Sequence, residues 1–298
     1  MKAAQLRQSI LQAAVQGKLV PQDAHDEHAS ELLERIRKKK AKLVKEGKIK
    51  KEKPLPPIAY DDIPYELPNG WEWCRLGDVG ETNIGLTYKP SDVVQTGIPV
   101  LRSSNIQEGK ICYDDMVCVG TEVPERAMTQ KDDLLICARN GSRRLVGKAA
   151  IIDKSGMAFG AFMAIYRSAY NQYINIFIGS PIFRENLDNP QTTTINQITQ
   201  QALKETLCPL PPLSEQKRIV AKVDELLALC DALKAAKDEP VPRLELDKKP
   251  YSKNRTSKKA QQKQAPVGMA ARGKVASTKP SAKLQHDIDN IFEDGEDE

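Results

Sequence analysis

The segment that most restricts the fold is a proline-rich stretch that changes into a regularly striped helix. Residues 210–230 read LPPLSEQKRIVAKVDELLALC, and Ser214 stands where the N-cap of a helix is expected. Five apolar residues then recur at intervals of four, three, four and three: Ile219, Val223, Leu226, Cys230 and Leu233. This 3.5-residue period is typical of a coiled-coil helix, whose narrow apolar stripe must be covered by a partner. The sequence therefore predicts a helix over residues 214–236 that packs through this 219–233 stripe.

Helical patterns also occur at the N-terminus, ahead of a clear change in character. Apolar residues recur at helical spacing from Leu6 to Ala14, and a second helix is predicted over residues 31–46 with Ser30 as its N-cap. A proline-rich linker then ends an N-terminal helical region of residues 1–53. From residue 54 to 213, short apolar runs alternate with turn residues, which predicts one domain of mixed α/β structure.

Within this middle domain, the apolar runs predict four strands and two helices. The strands are predicted at 100–101, 112–113, 134–138 and 149–152. One helix is expected from Asn171 to Gly179, and Ser180 and Pro181 suit the N-cap and first position of the next.

The C-terminal residues 237–298 differ in composition from the rest of the chain. Between Lys248 and Lys283 there are eleven Lys/Arg and no acid, whereas residues 287–298 are acidic. The segment has few large apolar residues, which predicts a disordered tail, first basic and then acidic. Residues 54–213 carry 14 Lys/Arg against 18 Asp/Glu, so the net charge of +5 is no argument that this domain binds DNA.

Histidine and cysteine usage restricts the chemistry. The histidines are residues 25, 28 and 286, so a histidine-dependent triad or zinc site built from residues 54–213 alone is excluded. No glycine-rich cofactor fingerprint follows a predicted strand, and the sequence predicts no cofactor. The six cysteines form no CxxC pair and no apolar run is long enough for a membrane helix, which together favour a cytoplasmic protein.

One pattern leaves a metal-dependent nuclease open as an alternative. Asp92 precedes the sequence Glu108-Gly109-Lys110, and an acid followed by Glu-x-Lys can hold a metal ion beside a charged lysine. The same three residues are typical of a tight turn between two strands, which is the favoured interpretation.

Three clusters favour binding of nucleic acid. Between Asp133 and Asp153 the chain carries four cations and no acid, and an arginine-rich turn can contact phosphates and guanine edges. A second cluster, at 102–105 with Gln107, and an uncharged, amide-rich one at 191–201 supply further donors and acceptors. The predicted DNA-binding residues are Arg102, Ser103, Ser104, Asn105, Arg139, Ser142, Arg143, Arg144, Lys148, Thr193 and Asn196.

Several segments resemble the DNA specificity subunit of type I restriction-modification systems. They include LRQSILQAAVQGKLVP, ASELLERIRKKKAKLVKEGKIKK, LPNGWEWCRLGDV and PLPPLSEQKRIVAKVDELLALCDAL, with GIPVLRSSNI and GKAAII inside the middle domain. The resemblance covers about residues 3–236. It implies that residues 54–213 form a target recognition domain for one half of a split DNA site, and that residues 214–236 form a spacer helix.

The resemblance also implies partners. In the family, methyltransferase subunits and a translocating nuclease (restriction) subunit assemble with a specificity subunit that has no catalytic centre of its own. A full subunit carries two recognition domains, so the chain is expected to be a half-subunit that pairs with a copy of itself or with a different half-subunit. The 219–233 stripe would then pack on the helix at 31–46 or on the same stripe of a second chain. Packing on its own recognition domain is the other interpretation. A truncated adaptor that binds methyltransferase subunits without reading DNA is the remaining alternative.

Overall fold

The computed structural model describes residues 3–47, 53–188 and 196–238, which all belong to one compact unit, Met1–Val241. The predicted tail lies outside the described residues from 239 onward. The described residues form seven α-helices: α1 (Ala3–Val15), α2 (Ala29–Lys45), α3 (Leu76–Val79), α4 (Asn171–Gly179), α5 (Pro181–Asp188), α6 (Gln200–Glu205) and α7 (Leu213–Asp238).

The strands form two four-stranded sheets and two short ribbons. In chain order they are β1 (Glu72–Arg75), β2 (Glu81–Ile84), β3 (Val93–Val94), β4 (Ile98–Leu101), β5 (Ile106–Gln107), β6 (Lys110–Ile111), β7 (Val117–Val119), β8 (Leu134–Cys137), β9 (Ala149–Ile151), β10 (Ala158–Phe159), β11 (Met163–Arg167) and β12 (Leu207–Leu210). One sheet has the antiparallel order β2-β11-β8-β9, and the other has the order β10-β4-β7-β3, in which β10 and β4 are parallel. The ribbons are β1-β12 and β5-β6.

Strand β8 lies between two buried cores, which accounts for the apolar run LLIC. All four of its residues are buried, and side chains alternate between the two faces of a strand. Leu134 and Ile136 join the core formed with the helices, whereas Leu135 and Cys137 join the core shared with the second sheet. The fold is therefore layered, with helices on one face of the β8 sheet and strands on the other, and the predicted mixed α/β class is confirmed.

Helix α7 buries its stripe inside the chain. Ile219, Val223, Leu226 and Cys230 are buried and Leu233 is partly exposed, and the helix packs against α1 and α4. The N-terminal turn of α7 is fixed by Glu215, whose carboxylate accepts hydrogen bonds from Trp71 Nε1 (2.9 Å) and Gln22 Nε2 (3.3 Å).

The favoured partners of the stripe, the helix at 31–46 or a second chain, are not the ones that cover it in the structure. Helix α1 covers it together with α4. Since α4 belongs to residues 54–213, the α4 contact agrees with the other interpretation, packing on the chain's own recognition domain. Four of its five residues are already buried in a single chain, so they do not also offer an apolar face to another copy. An ion pair between Arg7 and Asp231 lies at the same α1–α7 contact.

Several predicted boundaries are confirmed and three are wrong. Helix α4 spans the predicted residues, and the Ser180 hydroxyl accepts from the Phe183 amide (3.4 Å) as the N-cap of α5. Ser214 is not the N-cap of α7, because the helix begins at Leu213 and its first turn closes on the Pro212 carbonyl. Ser30 is likewise inside α2, where the imidazole of His28 accepts from its amide.

The strand predicted at Cys112–Tyr113 is also wrong. Its pairing ends one residue earlier, in β6, because the chain then bonds to Asn105 instead of a strand. The Cys112 amide donates to the Asn105 carbonyl (2.8 Å), and the Asn105 side chain donates back to the Cys112 carbonyl (3.1 Å).

Candidate nucleic-acid interface

The first predicted cluster forms the connection between β8 and β9, residues 138–148, called here the arginine loop. The two strands are antiparallel neighbours, so the loop projects from the edge of the sheet that they share. Arg139, Ser142, Arg143 and Arg144 are exposed, and a 3-10 turn, Arg143–Leu145, forms the tip. The base is held from α5, since the guanidinium of Arg184 donates to the Val146 carbonyl (2.7 Å).

The second cluster, residues 102–105, lies against the arginine loop. Lys148 Nζ donates to the Ser103 carbonyl (3.2 Å), and Asn140 Nδ2 donates to the Ser103 hydroxyl (3.2 Å). Ser104 is exposed beside them. The guanidinium of Arg102 donates to the Asp115 carbonyl (3.1 Å), and Asp115 is left-handed with φ of 54°. Two clusters whose contacting residues are 37 and 45 apart in sequence therefore form one surface.

Asn105 does not belong to this surface, which corrects the sequence-based prediction. Its side chain is only 1% exposed. Its carbonyl oxygen accepts from the Arg102 amide (2.9 Å), and its amide donates to the carbonyls of Cys112 (3.1 Å) and Asp114 (3.2 Å). Because these bonds use three of the four positions at which a primary amide can bond, Asn105 shapes the loop and does not meet a ligand.

The described residues of the third cluster bond to the arginine loop. Asn196 has a left-handed backbone (φ 58°), and its side-chain amide donates to the Gly141 carbonyl (3.3 Å). Its own carbonyl accepts from the Asn140 amide (3.3 Å), and the Ile198 amide donates to the Ala138 carbonyl (2.7 Å). Thr193 lies outside the described residues.

Sequence reasoning missed Phe162, which lies on this surface in the connection between β10 and β11. The ring is 59% exposed, and the guanidinium carbon of Arg139 lies 5.3 Å from its centroid. The amides of Ala138 and Arg139 both donate to the Phe162 carbonyl, at 3.0 and 2.9 Å. No sequence signal pointed to it, because the strands on either side, β10 and β11, were not among the predicted ones.

The arrangement brings together cations, hydroxyls and amides with one exposed aromatic ring. Arg102, Arg139, Arg143, Arg144 and Lys148 supply positive charge, and arginine is suited to planar, bidentate acceptors. Burial raises the pKa of the Cys137 thiol at the end of β8, so this sulfur stays protonated below the loop. Such a surface can bind phosphates and base edges.

The nuclease pattern is not assembled in the structure. Glu108 and Gly109 form the turn between β5 and β6, with φ of 49° and 76°, as the turn interpretation predicted. Glu108 accepts from Lys234 Nζ (3.1 Å), whereas the Asp92 carboxylate accepts from the amide of Lys89 (2.7 Å) at its own turn. Within residues 3–47, 53–188 and 196–238, no three His, Cys, Asp or Glu side chains are grouped to hold a metal ion.

Among the helices of these same ranges, none is both long and apolar enough to cross a bilayer.

Comparison with known proteins gives a consistent result. A model of the type I restriction modification DNA specificity domain matches residues 68–243. The type I restriction enzyme EcoAI specificity subunit of Escherichia coli is 40% identical over 238 residues, which cover 77% of this chain and 40% of that protein. The EcoEI specificity subunit, also of Escherichia coli, is 31% identical over 245 residues, covering 77% and 41%. The chain thus spans less than half the length of these curated relatives.

Among solved structures, the HsdS subunit from Thermoanaerobacter tengcongensis is 22% identical, with a TM-score of 0.47 over 70% of this chain and 51% of that one.

Proposed function

Since the chain belongs to the type I restriction-modification DNA specificity domain family, we propose that it is a sequence-specific DNA-binding specificity subunit that reads one half of a bipartite site. The observation that carries the proposal is the meeting of the three polar clusters on one surface around the arginine loop. Lys148 and Asn140 bond to Ser103, and Asn196 bonds to Gly141. The converged segments place cations, hydroxyls and amides together, and these are the groups that contact phosphates and base edges.

The surface offers two kinds of contact with duplex DNA. Cations at the exposed tip, such as Arg144, suit phosphate, where the contact strengthens binding to every sequence. Hydroxyl and arginine groups nearer the strands, such as Ser103 and Arg139, suit base edges in the major groove, where the pattern of donors and acceptors differs between base pairs. The chain can therefore combine general affinity with sequence choice.

Partners follow from the family. The relatives are specificity subunits of type I restriction enzymes. We assign to this chain the corresponding role, which is to direct methyltransferase and restriction subunits to their DNA site in the cytoplasm. It contributes recognition and no catalytic group, and it uses no cofactor.

The proposal is tested by selecting bound sites from random duplex DNA with the full chain and a type I methyltransferase subunit. One recurrent half-site is expected. Arg144→Ala should then weaken binding by roughly 1–3 kcal/mol if the arginine reads a base, or lower the salt slope by about 1 if it contacts phosphate. Lys217→Ala removes an exposed charge from α7 and is the matched control, with no change expected.

Two results would contradict the proposal. Recovery of no recurrent sequence, with the methyltransferase subunit still bound, would make the chain an adaptor that does not read DNA. Equal affinity and salt slope for wild type and for Arg143→Ala and Arg144→Ala would move the interface away from the arginine loop.

A further inference from the structure

Phe162 is an apolar side chain held rigidly on a polar surface. Two consecutive amides of the arginine loop, those of Ala138 and Arg139, donate to its carbonyl. The same connection is fixed from the other side, because the Gly160 amide donates to the Leu101 carbonyl (2.9 Å) and the Met163 amide donates to the Gly160 carbonyl (2.8 Å). The ring nevertheless stays 59% exposed, although large apolar side chains are normally buried.

The exposed ring orients Arg139. The guanidinium carbon lies 5.3 Å from the ring centroid, within the range of a cation–π contact. Such a contact holds the guanidinium beside the ring without using its N–H donors in hydrogen bonds, so they stay available to a ligand. The backbone of Arg139 is fixed as well, by an isolated bridge to Gln197. Arg139 is therefore preorganised, in contrast to Arg144 at the exposed tip of the loop.

Preorganisation separates two roles among the arginines. A phosphate contact tolerates several geometries, whereas a bidentate contact with the O6 and N7 atoms of guanine needs a fixed plane and direction. Of Arg139 and Arg144, only Arg139 is fixed both at its backbone and at its guanidinium. Arg102 is held too, but its guanidinium donates to the Asp115 carbonyl and pairs with the Asp115 carboxylate, whereas Arg139 is held through the Phe162 ring. The geometry thus points to Arg139 as an arginine that reads a base.

If Arg139 bonds a guanine, the Phe162 ring beside it is within reach of the neighbouring base pair, since successive base pairs are 3.4 Å apart and the ring centroid is 5.3 Å from the guanidinium carbon. The apolar group on the major-groove edge of a base pair is the 5-methyl of thymine. Beside this position lies a cleft of about 560 Å³, and its lining includes Phe162, Gln197 and Ile84. Ile84 is 41% exposed, so it adds apolar surface next to the Phe162 ring.

We propose that Arg139 and Phe162 form one composite reader, in which Arg139 bonds a guanine and the Phe162 ring packs on the methyl group of an adjacent thymine. This inference rests on the proposed function, and it assigns a dinucleotide chemistry to one pair of side chains. Phe162 acts twice, as a contact with the thymine methyl and as a positioning residue for Arg139.

The test uses the full chain with the methyltransferase subunit and the DNA site recovered by selection. Each thymine is replaced in turn by deoxyuridine, which lacks the methyl group, and each guanine by 7-deazaguanine, which lacks N7. One deoxyuridine position should weaken wild-type binding about fourfold, the effect of one buried methyl group. That position should have no effect in Phe162→Ala, and the neighbouring 7-deazaguanine should have none in Arg139→Ala.

Controls separate this pair from general DNA binding. Phe162→Tyr keeps the ring and should respond to deoxyuridine as wild type does. Arg144→Ala should respond in the same way, although its overall affinity is lower. Phe162→Ala should keep the wild-type salt slope, because it removes no charge. Its thermal unfolding should stay close to that of wild type, because Phe162 is 59% exposed and its backbone hydrogen bonds remain.

Several outcomes would overturn the inference. A selected site without a guanine next to a thymine would exclude the composite reader, and so would equal deoxyuridine responses in wild type and Phe162→Ala. Both leave the proposed function intact, since a site was selected. Failure to select any site, with Arg144→Ala binding as wild type does, would instead remove the proposed function and the inference with it.

Discussion

Shortening Leu226 should destabilise the single chain strongly. The side chain is 5% exposed and belongs to the core that α7 forms with α1 and α4. Leu226→Ala removes three carbons at about 0.8 kcal/mol each, or about 2.4 kcal/mol of transfer free energy. Helices on two sides limit how far the site can collapse, so a residual cavity should raise the loss to about 3–4 kcal/mol. Leu226→Glu should cost more, because it places an unpaired charge in the same position.

The assay is urea unfolding followed by tryptophan fluorescence. Trp71 is buried and bonded to Glu215 at the start of α7, so its emission should report the loss of the α7 contact. Glu225→Ala is the matched control at the next position, where the side chain is exposed and its ion pair with Lys222 is a surface pair of little value. Its free energy of unfolding should stay within about 0.5 kcal/mol of wild type.

Sedimentation decides between a core and an interface between chains. The mass of the folded Leu226→Ala protein should equal that of wild type at every concentration, because the stripe is covered within one chain. If the variant unfolds at the wild-type urea concentration while its mass falls from dimer to monomer, the stripe pairs two chains and the reasoning from burial is refuted.

Three further outcomes are expected. In urea unfolding, Asn105→Ala should lower the free energy of unfolding by about 2 kcal/mol or more, since three hydrogen bonds are lost. Gln107→Ala, at an exposed position, should leave it unchanged. If Asn105→Ala keeps its stability but loses DNA binding, Asn105 contacts the DNA after all. Burial raises the pKa of Glu215 above its usual 4.5, so its ionisation removes stability as the pH rises above that value. Glu215→Gln does not ionise, and its stability relative to wild type should therefore improve between pH 4 and pH 8 in urea titrations; an unchanged difference would contradict the raised pKa. The purified chain should neither transfer tritiated methyl groups from S-adenosylmethionine to DNA nor cleave DNA with magnesium, and either activity would overturn the non-catalytic role.

Elements set by local periodicity could be predicted from the sequence. The helix at 171–179 and the start of α5 at Pro181 follow from apolar spacing and proline placement, and both are confirmed. The buried run at Leu134 also gave a strand. Strand β12 gave no such signal, because it is four residues long and contains Pro209, a residue that usually argues against a paired strand.

Partners of a helix could not be predicted in the same way. A stripe of period 3.5 identifies the buried face of α7 but carries no information about what covers it. The covering helix α1 is more than 200 residues away, as the contact between Arg7 and Asp231 shows. Such a pairing depends on the whole path of the chain through the two sheets, which no local pattern records.

The interface shows the same limit at the level of single side chains. Residue type indicated that Asn105 suits DNA and gave no reason to consider Phe162, yet the amide points inward and the ring points outward. The inward position of Asn105 has a physical cause. The backbone carbonyls of Cys112 and Asp114 need hydrogen-bond donors inside the loop, and the Asn105 side chain supplies them. That bonding fixes the turn that carries Ser103, to which Lys148 and Asn140 then attach the arginine loop. On the proposed function, Asn105 acts through the loop it shapes, and an Asn105→Ala protein that still folds should lose sequence choice before it loses general affinity for DNA.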